Sequence, residues 1–391
     1  MKKKHLSIII VLILCLFVSK SYSQNFVNQV LILNEGYYDY TNQQIIEPVT
    51  IGSYDPANNL YSVVITIDSA RFASDIIIDG DNIFVAADDK LLKYDLNNYN
   101  LIEQIDLIGA RNLKISGDKI FVTRGEYMTT FDSYLHVYNK NDFSNIYQFD
   151  TITGPKWATQ NMIIDNDLLY VAINNGFEWG NEKGLIGVVD ISNLSYLNEI
   201  DLGPEGKNPD NLMKKGNKLF TVNNKDWTGM SISEVNLSSG SISTNSISSV
   251  SSGCGTSCLR NDKICYQSLG DTELYEWDGI SSTSLGPLMN FYELANDTIN
   301  NFLYTSTTDF LSSGTINVYD VNNLVINTFA CGVSPGVIVF DVRSSSGIEE
   351  ISNLKNQYLD KSFDLMGREI NEDAWNGIYI KNNTKYMKIK D

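Results

Sequence analysis

The chain reads as an all-β, seven-bladed β-propeller, and three observations carry that reading. A unit of four short apolar runs, divided by turn residues, recurs along most of the sequence. Its copies begin roughly 34 to 50 residues apart, the period of propeller blades. The fragments left over at the two ends are complementary, so together they make one further unit and close the ring without an open sheet edge. A β-sandwich array or a solenoid would not leave such a pair.

Taken in order, Met1 to Ser23 has the layout of a secretory signal. Lys2, Lys3 and Lys4 precede an apolar run from Leu6 to Val18, and Ser21-Tyr22-Ser23 offers small residues before Gln24. That run is too short to span about 30 Å of hydrocarbon. Leu14 before Cys15 is a poor match to a lipoprotein site. Next come VLILNEG, IGSYDP and LYSVVITI, which resemble strands b, c and d of a unit with no strand a. The clearest full copy runs from Asp75 to Leu107. Further copies begin at Asn112, Asn161 and Asn211, and looser ones at Ser257 and Tyr292. Within each, the runs are rich in Ile, Val, Leu, Tyr and Phe and end on Asp, Gly or Asn, the chemistry of antiparallel strands and tight turns. PGVIVFDV, Pro335 to Val342, supplies the missing strand a. The expected division is a signal at 1–23, a propeller at 24–343, and a linker with a small β tail at 344–391.

Composition narrows the function. With 29 Lys plus Arg against 47 Asp plus Glu, the formal net charge is −18. Without the signal, 25 basic groups face 47 acidic ones, a net −22. No Lys/Arg surplus is available for a phosphate backbone, so nucleic acid is not an expected partner. With 43% apolar and 19% charged residues, the chain is expected to fold. Two histidines exclude a multi-histidine metal centre. Loop carboxylates such as Asp39, Glu126 and Asp226 could suit calcium, but no D-x-D-x-D-G ladder is present, so no metal and no cofactor is expected.

The tail carries Asp364-Leu365-Met366-Gly367-Arg368, then Gly377-Ile378-Tyr379-Ile380 and a Lys-rich end from Lys385 to Lys390. It resembles the C-terminal sorting domain of the Bacteroidetes type IX secretion system. That resemblance implies export by this machinery and a secreted or cell-surface location. The propeller, with Asn34-Glu35-Gly36 after its first strand and Ser334-Pro335-Gly336 before its last, resembles the YncE-like, surface-layer type. Such propellers usually bind rather than catalyse. Some capture cobalamin beside a TonB-dependent transporter, so the resemblance makes such a transporter a candidate partner.

In a propeller the b-to-c and d-to-a connections emerge on one face around the axis. There the sequence places Tyr37, Tyr38 and Tyr40, Arg71 and Phe72, Arg111, Arg124, Tyr127 and Phe131. Lys156 with Trp157, Phe177 with Trp179, and Trp227 fall on the same face. Aromatic rings stack on planar or sugar-like ligands, and arginine forks onto carboxylate or phosphate. The candidate ligand residues are therefore Tyr37, Tyr38, Arg71, Phe72, Arg111, Arg124, Tyr127, Trp157, Trp179 and Trp227. Packing of the loops on one another is the competing account. A glycan- or polymer-active enzyme using loop-face carboxylates, or a purely structural surface protein, are the alternative functions. His136 has no nucleophile motif beside it and reads as a strand residue with a satisfied ring. Without Cys15, four cysteines remain: Cys254, Cys258, Cys265 and Cys331. Alignment puts Cys258 opposite Cys265, where a disulfide is feasible at a non-hydrogen-bonded pair.

Overall fold

A computed structural model describes residues 24–247, 255–268, 270–344, 362–364, 369–371, 377–381 and 384–388. Residues 1–23, where a signal is expected, Cys254 and Leu365 to Arg368 lie outside them. Among the described residues there is no α-helix; the architecture is all-β.

One compact unit spans Val27–Asp341. It carries seven four-stranded antiparallel sheets, each ordered a-b-c-d. Blade 1 is the composite one: Pro335–Ser344 is its strand a, and Asn25–Asn34, Val49–Asp55 and Leu60–Ile67 are b, c and d. Asn28 and Gln29 lock it by donating to Asp341 Oδ2 at 2.9 and 3.1 Å. Strands a of blades 2 to 7 are Asp75–Asp79, Ala110–Ser116, Thr159–Asp165, Pro209–Lys215, Gly255–Arg260 and Glu293–Asp297.

Local chemistry explains the a-to-b hairpins. Gly80 and Gly117 sit at φ 57° and 60°, in two-residue turns whose twist suits the strands they join only when φ is positive. Asn166 and Asn261 occupy the same place in blades 4 and 6 at φ 53° and 50°, because asparagine tolerates that region best among residues with a Cβ. Packing then follows the blade. Strands b and c are apolar on both faces because a blade lies on either side. In blade 2, Asn82–Ala87 is buried almost throughout, whereas the outer strand Leu101–Asp106 is mostly exposed. Seven apolar clusters result, each between two neighbouring blades. Leu31 and Ile51 meet Ile76 and Val85 between blades 1 and 2, and Tyr304 and Ile316 meet Val30 and Ile32 between blades 7 and 1.

The second unit's described strands form a sheet of their own. Its order is Glu369–Ile370, Ser362–Asp364, Gly377–Lys381, Thr384–Lys388.

Candidate functional site

Three consecutive inner strands carry the same irregularity. In blade 3, Ala110 pairs with Arg124 and Leu113 with Val122, so Arg111 and Asn112 face Thr123 alone. Blade 4 sets Gln160 and Asn161 against Ala172, and blade 5 sets Asp210 and Asn211 against Val222, by the same shift. Such a bulge bends the strand and re-aims its side chains. The result is an arc of polar groups at the axis where a regular strand would alternate, and Asp75 and Glu293 join it from regularly paired strands. Some of them tie blade to blade: Asp75 Oδ2 accepts the Leu113 N–H at 2.8 Å, and Asn161 Oδ1 that of Leu212 at 3.2 Å.

These residues line an axial cavity of about 590 Å³, within the range of small-molecule sites. Among the described residues Arg111 is the one cation in its wall, while Glu35, Asp75, Glu126, Asp210 and Glu293 all contribute carboxyls, Glu126 being paired with Arg71. The Arg111 guanidinium stands over Phe177 at 4.9 Å and Phe72 at 5.8 Å from the ring centroids. Phe177 is held there because Gly125 has no Cβ to meet its ring. Arg111 makes no ion pair among the described residues, and its buried Nε has no hydrogen-bond partner. Burial pulls its pKa down against the field of Glu35, Glu126 and Asp210. Buried oxygens of Ser74, Asn112 and Gln160 in the same wall are also unpartnered.

The carboxyls are shifted the opposite way, because burial penalises their charged form. Glu35 is pushed up to about 7 despite accepting from the Tyr292 hydroxyl at 2.7 Å, and Asp75 to about 6. Burial raises Asp210 and, well above the usual range, Glu293; Asp210, Glu35 and Asp75 add to the rise at Glu293. Glu35 and Gly336, from the two motifs that suggested a surface-layer propeller, meet here: a Cβ at Gly336 would collide with the Glu35 carboxylate. A second chamber of about 420 Å³ adjoins the first and shares Arg111, Gln160, Phe177, Asp210 and Tyr292 with it. Among the described residues, no three His, Cys, Asp or Glu side chains are grouped to hold a metal ion.

The expected residues divide sharply. Arg111 and Phe72 stand in the axial cavity, Tyr127 lines its edge, and Trp227 lines the second chamber. Trp157, Trp179 and Tyr127 line a separate rim cleft of about 470 Å³, where Lys183 Nζ sits 4.4 Å over Trp157. Tyr37 and Tyr38 lie on a small hairpin, Tyr37–Asp39 with Gln44–Glu47. Tyr38 packs edge-on against Tyr40, which does line the axial cavity. Arg71 is already forked onto Asp88, at 2.8 and 2.5 Å, and reaches Glu126 at 3.1 Å. Arg124 is likewise used internally. It donates to Ile108 O at 3.1 and 2.9 Å, to Ser133 O at 2.9 Å, and stacks 3.9 Å over Phe131. Asp75, Asp210 and Glu293 were not singled out from sequence. The signal that could have found them is the polar pair recurring just before the first apolar step of each unit.

His136 is buried, with ring nitrogens 2.9 Å from Tyr138 Oη and 3.1 Å from Arg124 Nη1, and burial beside that arginine lowers it to about 4. Cys258 and Cys265 do stand directly opposite, both as free, buried thiols. Counted from the Asn261-Asp262 turn, theirs is a hydrogen-bonded pair, with Cα atoms about 5.5 Å apart, rather than the closer kind a disulfide was expected to need. Cys331 is free and buried too.

No protein-family model matches the chain, and no curated protein matches its sequence. Solved structures do share its fold. A quinonprotein alcohol dehydrogenase-like protein from Bacteroides thetaiotaomicron matches with a TM-score of 0.58 at 14% identity, over 81% of this chain and 79% of its own. A putative 6-phosphogluconolactonase from Bacteroides fragilis matches with a TM-score of 0.57 at 12% identity, over 80% and 98%. The dihydro-heme d1 dehydrogenase NirN gives 0.53 at 12%, over 83% and 78%. At these identities the likeness is one of fold, and proteins of varied roles share it.

Proposed function

We propose that this chain is an exported binding propeller that holds a small, carboxylate-bearing ligand at its axial mouth. The observation that carries the reading is Arg111: a guanidinium braced between two aromatic rings, lining a cavity, with no carboxylate or carbonyl partner among the described residues. Buried arginines are ordinarily paired, because an uncompensated buried charge is costly. A ligand carboxylate would complete the fork. A cavity of about 590 Å³ suits a drug-sized molecule better than an enclosed corrinoid, so a cobalamin-like ligand could enter only in part.

The test is a library of small organic carboxylates alongside their methyl esters, read by ligand-induced thermal shift. Acids, not esters, should stabilise the wild type, and R111M should weaken them by at least about thirtyfold, the loss expected when one partner of a buried charged pair is removed. Esters acting as well as acids would overturn the reading.

Export rests on the basic and apolar segments at 1–23, and surface sorting on the tail motif at 344–391, with the type IX machinery as partner. A neighbouring TonB-dependent transporter would be a further partner for nutrient capture. Sequencing the N-terminus of the exported chain should find Gln24 first; an intact Met1 on the mature protein would sink the signal assignment.

A further inference from the structure

The two chambers meet at a junction of defined chemistry. The smaller one is walled by Phe177, Trp227, Phe291, Tyr292 and Phe310, so it is an aromatic box. The larger one is polar and holds the carboxyls. Arg111 and Asp210 line both, which sets the unpaired cation and one carboxyl at the boundary. These carboxyls are poorly matched by the protein itself. Glu293 accepts one bond, from Thr256 Oγ1 at 3.3 Å; Asp210 accepts from Asn224 Nδ2 at 3.4 Å and is approached by Gln160. Two buried donors of residues that line the aromatic box have no hydrogen-bond partner among the described residues: Asn208 Nδ2, on a residue only 1% exposed, and Trp227 Nε1.

Charge accounting then limits the ligand. A plain anion would satisfy Arg111 but lie beside the Glu35, Asp210 and Glu293 carboxyls, while a plain cation would meet those carboxyls and leave Arg111 without a partner. A molecule with both charges close together answers both, and a flat, apolar body fills the box. We infer, resting on the carboxylate reading above, that the site takes an aromatic α-amino acid as its zwitterion. Its carboxylate is forked by Arg111, its ammonium lies among Asp210, Glu293 and Glu35, and its ring occupies the box.

Three matched probes decide it: L-tyrosine, 3-(4-hydroxyphenyl)propionate, which lacks the amine, and tyramine, which lacks the carboxylate. Binding to the full mature chain at neutral pH is followed by titration calorimetry and saturation-transfer NMR. Tyrosine should bind at least about tenfold more tightly than either of the others, since each charged contact contributes on that scale or above. D210N should bring tyrosine down toward the propionate while leaving the propionate itself little changed. R111M should weaken both. If tyrosine exceeds the propionate by less than tenfold, the zwitterion assignment fails and the carboxylate reading stands. If neither carboxylate probe binds at millimolar concentration, or tyramine binds tightest, both fail. The wild-type comparison decides the matter even if D210N does not fold.

Discussion

The axial mouth and the rim of this propeller are built from the same residue types and differ in how those residues are paired. Arg111 and Arg124 make the comparison directly, because they leave the same end of one hairpin: Ala110, next to Arg111, is the register partner of Arg124. Arg124 is held by Ile108 O, Ser133 O, His136 Nε2 and the face of Phe131. Arg111 has two aromatic faces and no hydrogen-bond acceptor at Nε. The carboxyls divide the same way. On the exposed rim, Asp309 is held down at about 2 by the N–H groups of Leu311 and Ser312, while at the axis Glu35 is pushed up to about 7 by burial. A side chain saturated by its own chain is part of the scaffold. One that the fold buries and leaves incomplete is available to something else.

The largest expected effect lies on the scaffold side. Arg124→Ala removes the donors to two backbone carbonyls and to His136 and leaves those acceptors in a partly closed site, a loss of about 2–4 kcal/mol. R111M should change stability by no more than about 0.5 kcal/mol, or raise it, because it replaces a desolvated, unpaired charge with an apolar side chain of similar length. Urea denaturation of the two variants measures the contrast. Equal losses would remove the distinction between axis and rim.

How much of this was legible beforehand follows from periodicity. Positive-φ turn residues such as Gly80, Gly117 and Asn166 mark the hairpins, and the complementary end strands mark the closure, so the blade order could be read from residue types. The rim aromatics were legible as well, since Trp157 and Trp179 interrupt polar loops. The axial site is legible only in part: a polar pair recurs before the first apolar step of several units, but a strand's alternation has period two and nothing in those residues marks the bulge that re-aims them. Arg111 was found from its place after a loop. Asp210, which owes its position to the same bulge two blades later, sits after Pro209 and resembles an ordinary turn aspartate until the register is known. The repeat as read from residue types begins at Asn211, one residue after it.

Glu35→Gln probes the axis by a smaller and pH-dependent effect. An unfolded glutamate titrates near about 4.3. In the folded chain it titrates at about 7, so between those values the native state holds a proton that the unfolded state has released. Stability from this group therefore falls as pH rises through that window, and the full penalty is present above it. Glutamine keeps the shape and an acceptor for the Tyr292 hydroxyl but cannot ionise. Wild type and E35Q should be equally stable near the unfolded value, and E35Q should lead by about 1–3 kcal/mol on the alkaline side. Asp75, also raised, to about 6, gives both proteins a common slope, so the difference between them reads Glu35 together with its effect on Glu293. Denaturation midpoints measured across this range read it out. A constant offset at every pH would mean that Glu35 is charged in the folded chain, and the axis would then be no different from the rim.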